Sequence, residues 1–317
     1  MKRILTLILA LLLLLSACGG SGEAPKAESP ETTAAVETEA PETTEAAAEE
    51  EKAFMRVVVH NIYYLDMDAR ADNINALHDR LDADVLLLQE VSKGWIPHLQ
   101  KWMAEAGYSY YAYGRYGAEF SDAEMDDGDA FTPILWKTDK YDLVESGHFW
   151  LSSTPEVVRS ARWIDGTVSE FPRCNCWVIL RDKETGREIF VTSVHFDAYN
   201  TTVKTYSADL LIQKMTELRG DRPAIAGGDF NLPITDPGYT LLANSDYPDM
   251  RHLAEQTTDE GSYNAWDEKA EADYGKGDHV FMSRDIDAKL YDILIEESRV
   301  DGKPISDHYP LIVEFYY

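Results

Sequence analysis

Apolar and polar positions follow two rhythms from about residue 53 to the end of the chain. "MRVVVHNIYYL" (55–65) is rich in β-branched and aromatic residues and predicts a strand. "ADNINALHDRL" sets Ile74, Leu77 and Leu81 at helical spacing. "ADVLLLQEV" (83–91) is a short apolar run ending in polar residues, the pattern of a buried strand. "TPILWK" and "HFWLS" also read as strands. "NCWVILRDKETGREIFVTSVHF" predicts a hairpin turning at Lys183-Glu184-Thr185-Gly186. "TTVKTYSADLLIQKMTELRG" predicts an amphipathic helix with Val203, Tyr206, Leu210, Leu211, Met215 and Leu218 on its apolar side and Gly220 as C-cap. "PAIAGGDF", "DHVFMS" and "HYPLIVEFYY" predict further strands. Hairpins mixed with helical crossovers point to an α/β (α+β) domain: two largely antiparallel sheets with helices outside.

The first 52 residues do not share this patterning. Met1-Lys2-Arg3 is basic, and Ile4 to Leu15 is almost wholly apolar, the layout of a secretory signal. That run is short of the roughly 20 residues a transmembrane helix needs. It ends in "LSAC" followed by Gly19-Gly20. These four residues resemble the lipobox of bacterial lipoproteins. The resemblance implies a signal peptide over 1–18, cut before Cys18, with lipid on the Cys18 sulfur. The chain is then expected at the cell membrane, lipid-anchored and facing the extracytoplasmic side. A plain signal peptide cut elsewhere, or an uncleaved anchor, is the alternative. Residues 19–52 are Ala, Glu, Thr, Pro and Ser with almost no large apolar side chains. Such a segment cannot bury enough surface to offset its ordering entropy and predicts a disordered acidic tether. The folded domain is expected over 53–317.

Charge narrows the partners. The chain has 57 Asp and Glu against 29 Lys and Arg, a formal net charge of −28. Ten of the glutamates lie in the tether, so the domain keeps most of the excess. Such a field repels a long nucleic-acid duplex, and no stable duplex binding is expected. Divalent cations or a small phosphorylated substrate suit it better. Beyond Cys18 the cysteines are Cys174 and Cys176 in "FPRCNCW". Residues i and i+2 of a strand are poorly placed for a disulfide, and two cysteines are too few for a structural zinc site. They read as small buried hydrophobes. Six tryptophans, Trp95, Trp102, Trp150, Trp163, Trp177 and Trp266, are spaced as core residues.

Several strands end in polar residues that a strand does not need: Asn61, Glu90, His195 and Asp197, Asp229 and Asn231, Asp278, and Ser306-Asp307-His308. In "AIAGGDFNLP" an extended chain would turn Asp229 and Asn231 to one face. An Asx-turn closing the strand is the other reading. Gly227 and Gly228 are expected to let the backbone turn at the strand end.

The order N…QE…H-x-D…GDFN…D…SDH resembles the endonuclease/exonuclease/phosphatase superfamily. "LLLQEV", "GGDFN" and "SDHYPL" are the most specific pieces, and "SGHFWLSSTPE" resembles a stretch of bacterial members. The resemblance spans about residues 55 to 317 and implies a four-layered α/β/β/α sandwich with its site at one end of the sheet pair. It also implies a Mg²⁺-dependent phosphoric ester hydrolase, Mn²⁺ being a substitute, acting by metal-assisted attack of water. Glu90 matches the metal ligand, with Asn61 and Asp307 beside it. Asp229 matches the residue that handles the water, and Asn231 the donor to the phosphoryl group. His308 matches the phosphate-contacting histidine, Asp278 its hydrogen-bond partner, and His195 a second histidine. Arg173 sits where bacterial relatives often carry an arginine, a residue suited to phosphate. Asp129 stands where many members have glutamate, and His279 where an aromatic is commoner.

The expected substrate is a phosphorylated small molecule or a short nucleic acid, taken by a monomer. A small phosphomonoester or phosphodiester is preferred over an extracellular nuclease substrate. A non-catalytic binding lipoprotein on the same scaffold is the alternative of another class.

Overall fold

A computed structural model of the protein describes residues 51–121, 128–266 and 277–317. Cys18, the expected signal peptide and nearly all of the expected tether lie outside the described residues. In chain order the elements are β1 (Phe54–Asn61), α1 (Met67–Leu81), β2 (Val85–Gln89), α2 (Trp95–Ala106), β3 (Tyr108–Tyr111), β4 (Ile134–Lys137), β5 (Tyr141–Trp150), β6 (Cys174–Asp182), β7 (Glu188–His195), α3 (Thr201–Arg219) and β8 (Ala224–Asp229). Then come α4 (Pro237–Ala243), β9 (Gln256–Thr257), β10 (Asp278–Met282), β11 (Asp287–Ile293), β12 (Arg299–Val300), β13 (Lys303–Pro304) and β14 (Leu311–Tyr316).

Two sheets carry the fold. One is seven-stranded, ordered β3-β4-β2-β1-β14-β11-β9; the other is five-stranded, ordered β10-β8-β7-β6-β5. Most neighbours are antiparallel; the short β9/β11 pair is parallel, and so are β1/β2 and β7/β8. Those two pairs are the ones joined through helices, α1 and α3, since a parallel pair needs a crossover.

The period-two alternation of the strands builds the layers. Val57, Val59 and Leu87 of the first sheet share a cluster with Val191, Ile225 and Val280 of the second. Their neighbours Val58, Leu86 and Leu88 face the other way, onto Ile74 and Leu77 of α1 and Ile96 and Leu99 of α2. On the far side Phe190, Ala224 and Ala226 pack against Leu211 and Met215 of α3 and Leu242 of α4. The result is a four-layered α/β/β/α sandwich. Each sheet is covered on both faces, so its strands read as continuous apolar runs. Truncating Leu87, fully buried between the sheets, would cost about 3 kcal/mol.

The glycines of "AGGD" do not make a turn. Both lie within β8. A Cβ on Gly227 would stand 2.6 Å from Leu87 Cδ1, so this glycine lets the two sheets approach. At Gly228, with φ 155°, a Cβ would strike the backbone of Val194 on β7. Cys174 and Cys176 are free thiols and buried. Of the seven tryptophans, six are buried, and Trp266 is 41% exposed. No helix among the described residues is long and apolar enough to cross a membrane.

Candidate active site

Strand register brings the polar ends together. His195 closes β7 opposite Asp229, which closes β8. Asp278 opens β10 and faces Asp229 from the other side. In the first sheet Asn61 pairs with Gln89, so Glu90 follows directly past the strand end. Asp307 and His308 precede β14, which pairs with β1, and Ser306 Oγ donates to Asn61 O at 2.7 Å.

Asp229 Oδ2 is the centre of this arrangement. Asn61 Nδ2 donates to it at 3.1 Å, while His195 Nε2 lies at 3.6 Å and His308 Nε2 at 3.8 Å. Its other oxygen, Oδ1, accepts from Asn231 N at 2.9 Å. That bond is an Asx-turn, and Asn231 takes a left-handed φ of 51°. The extended geometry that would have put Asp229 and Asn231 on one face is therefore not what forms. One hydrogen of the Asn231 amide goes to Phe196 O at 3.2 Å, and an NH₂ group keeps a second to donate.

Burial, and then the charge of Asp278, push the Asp229 carboxyl up to about 7. Asp278 Oδ2 meets His308 Nδ1 at 2.8 Å. Burial pulls the His308 ring down, but Asp278, Asp229 and Asp307 outweigh it and raise it to about 10. The ring is then an imidazolium at neutral pH, with Nε2 directed at Asp229. His195 goes the other way. Burial, then Arg173, Arg115 and His308, hold it well below the usual imidazole range, so it is neutral.

Glu90 and Asp307 form the other side. Glu90 has φ 62°, and its Oε2 accepts from Tyr64 N at 3.2 Å. Burial raises the Asp307 carboxyl against the pull of His308, and the charge of Glu90 raises it further. Neither acid has an ion pair among the described residues. Arg70 lies near, but its guanidinium is spent on the carbonyls of Ile62, Tyr63, Leu65 and Ile305. Hard oxygen donors without a cation fit Mg²⁺ or Mn²⁺. Asp229, Asp278 and His308 also bring their ligand atoms within 4.8 Å of one another. There the proton on His308 already supplies the positive charge.

Several contributors were not legible in the sequence. Lys204, buried on α3, donates to Asn231 O at 2.9 Å and pairs with Asp236 at 3.0 Å. His279 meets the next carbonyl, Leu232 O, at 2.8 Å and Asp249 at 3.1 Å. Two consecutive carbonyls after Asp229 are thus held by two buried side chains, each backed by an aspartate. The available signal for Lys204 was a lysine within the apolar stripe of α3, four residues before Ala208. Asp197 is turned to structural work: it accepts from Ser169, Glu170, Tyr199 and Asn200. Asp129 is buried and accepts from Tyr116 N and Ala130 N. Arg173 is buried; its carbonyl accepts from Leu151 N at 2.8 Å, and its side-chain Nε has no hydrogen-bond partner among the described residues.

A model of the Endonuclease/Exonuclease/phosphatase family matches residues 58–308. No curated protein matches the chain by sequence. Among solved structures, an endonuclease/exonuclease/phosphatase family protein from Bacteroides thetaiotaomicron is 27% identical, with a TM-score of 0.71, covering 84% of this chain and 99% of its own. The mannosyl-6-phosphatase Bt3783 of Bacteroides thetaiotaomicron is also 27% identical at TM-score 0.71, covering 83% and 100%. TDP2 of D. rerio, solved with a single-strand DNA product, is 18% identical at TM-score 0.63, covering 83% and 99%; it shares the fold.

Proposed function

The chain belongs to the endonuclease/exonuclease/phosphatase family, and on that premise we propose that it is a divalent-metal-dependent hydrolase of a phosphorylated small molecule. The observation that carries this reading is the convergence of Asn61, His195 and His308 on one oxygen of Asp229. Asp229, with its carboxyl near 7, takes a proton from water at neutral or mildly alkaline pH. Asn61 and the Asn231 backbone fix the direction of that carboxylate. His308, charged and oriented by Asp278, offers its Nε2 hydrogen to the charge that builds on the phosphoryl oxygens. His195 is neutral, so its role is to hold a phosphoryl oxygen rather than to give up a proton. Asn231 donates its second amide hydrogen, and Arg173 supplies a fixed positive charge.

Glu90, Asp307 and Asn61 would hold the cation. Mg²⁺ or Mn²⁺, when bound, supplies Lewis-acid neutralisation of phosphoryl charge. The mannosyl-6-phosphatase among the relatives supports a sugar phosphate or a similar small phosphoric ester as substrate. We place the enzyme, by its "LSAC" segment, on a lipid anchor at Cys18 facing the extracytoplasmic side. Cys18→Ala is expected to move the protein from the membrane fraction to the soluble fraction.

The reading is tested on the full chain with a panel of p-nitrophenyl phosphate, bis-p-nitrophenyl phosphate, inositol phosphates, sugar phosphates and single-stranded DNA. Release that needs Mg²⁺ or Mn²⁺ and disappears in Glu90→Ala is expected. Release that survives both EDTA and that substitution would overturn it.

A further inference from the structure

Arg70 lies in the first turn of α1, and its side chain is buried. A buried arginine usually has a carboxylate partner. Arg70 has none among the described residues, and its donors go to the backbone instead. Nη1 donates to Ile62 O at 2.8 Å and to Ile305 O at 2.9 Å. Nη2 donates to Tyr63 O at 2.8 Å and to Leu65 O. Three rings cage the guanidinium: Trp95 at 5.2 Å, Tyr63 at 5.4 Å and Trp266 at 5.5 Å. Trp95 Nε1 also donates to Tyr63 O at 2.8 Å, so that carbonyl is held twice.

These contacts join three segments on the acidic side of the site. In the loop between β1 and α1, Tyr63 N donates to Asn61 Oδ1 at 3.1 Å and Tyr64 N to Glu90 Oε2 at 3.2 Å. Before β14, Ile305 leads into Ser306, whose Oγ bonds Asn61 O, and then into Asp307. In the 262–266 segment, Asn264 N donates to Asp307 O at 2.8 Å and Asn264 Nδ2 to Ser306 O at 3.1 Å. Arg70 touches the first two through carbonyls and the third through the Trp266 ring.

Backbone strain gathers in the same place. Nine non-glycine residues among those described have a left-handed φ. Five of them stand here: Tyr63 at 59°, Asp66 at 53°, Glu90 at 62°, Ala265 at 53° and Trp266 at 62°. Such conformations are costly, most of all for bulky side chains, and they persist only where the surroundings over-determine them. A planar fork that satisfies four carbonyls while it stacks on three rings supplies that determination; a lysine has no such fork.

We propose that Arg70 is a positioning residue for the metal centre: it holds the Ile62–Leu65 and Ile305–Asp307 segments in the strained shape that sets Asn61, Glu90 and Asp307 around one cation. The inference rests on the assignment of those three residues as the ones that would hold the ion. It gives a buried positive charge a task beside a cation site, where charge alone would work against binding.

The test is Mn²⁺ binding by the full chain at pH 7.5, read as loss of the free-ion EPR signal, so no turnover is needed. Arg70→Lys keeps the charge and loses the fork; Arg70→Met loses both. Both are expected to bind Mn²⁺ more weakly than the wild type, Arg70→Lys by about 10-fold, as when an outer partner of a metal site is removed. A mere neighbouring charge predicts otherwise: Arg70→Met would bind more tightly and Arg70→Lys would not change. Thermal melts in EDTA show whether each variant is folded. If neither folds, Trp266→Leu decides, because it removes an exposed wall of the cage and should weaken Mn²⁺ about threefold. A folded Arg70 variant that binds Mn²⁺ as tightly as the wild type, or more tightly, would overturn the inference. So would an unmoved affinity in Trp266→Leu where that variant decides. Mn²⁺ binding that is absent from the wild type, or unchanged in Glu90→Ala, would overturn the metal centre itself and the inference with it.

Discussion

Two of the parallel strand pairs, β1/β2 and β7/β8, are built alike and finished differently. Each is closed by a crossover helix, and each ends its strands on the same site. In the β7/β8 half the polar groups mostly have partners from the chain itself. Asp229 Oδ1 has Asn231 N, His308 has Asp278, Asn231 O has Lys204, and Leu232 O has His279. In the β1/β2 half, Glu90 and the nearby Asp307 face one another's charge with no cation between them among the described residues. One half is preorganised by hydrogen bonds. The other sets two like charges side by side, and under the proposed function a divalent ion would complete it.

The comparison can be broken most severely at Asp229. Asp229→Asn should lower kcat by about 10³-fold, because it removes the proton acceptor. It should not unfold the protein, since Asp229 sits at an energetic cost beside Asp278. Steady-state rates and a thermal melt check both halves of that statement. Glu90→Gln should cost about 10²-fold and raise the Mg²⁺ concentration needed for half-maximal rate. The melting temperature in EDTA should rise or stay level, because one of two repelling acids is gone.

Lys204→Met tests the support rather than the chemistry. Removing one partner of a buried pair leaves Asp236 unpaired and should cost about 3 kcal/mol of stability. It should lower kcat by about tenfold through a looser Asn231, with KM moving less. Denaturant melts and a kcat against KM comparison separate these effects.

The smallest effect is a slope with pH. Asp229 is raised from 3.8 to about 7, so its contribution to stability is fully present below 3.8 and is lost as pH rises through about 7. His308 is raised from 6.5 to about 10, so its contribution is fully present below 6.5 and is lost as pH rises through about 10. Stability in EDTA should therefore fall from about pH 4 to pH 10. Asp229→Asn should flatten the part between 4 and 7.

How much of this was legible in the sequence follows from what sets each feature. The buried strands announce themselves, because sheets covered on both faces need unbroken apolar runs such as "ADVLLLQEV". The polar strand ends are legible for the same reason: nothing in a strand explains Glu90 or Asp229. Strand β11 is only partly buried and has no such run, and α2 lacks a side-chain cap at its start. Of the two readings of "GDFN", the Asx-turn forms; it gives Asn231 a left-handed φ that the period-two rule does not produce. Gly227 and Gly228 look like turn residues in one dimension; only the second sheet and the Val194 backbone show why they lack side chains. Lys204 and Arg115 reach their partners through tertiary approach, which spacing along the chain does not encode.

The central claim is that both halves must act together on a phosphoric ester. The most direct measurement is hydrolysis of p-nitrophenyl phosphate by the full chain, with Mg²⁺ and with EDTA, for the wild type and Asp229→Asn. The account predicts release by the wild type with Mg²⁺ and near-background rates in the other three conditions. Release that persists in EDTA, or in a folded Asp229→Asn variant with Mg²⁺, would contradict it.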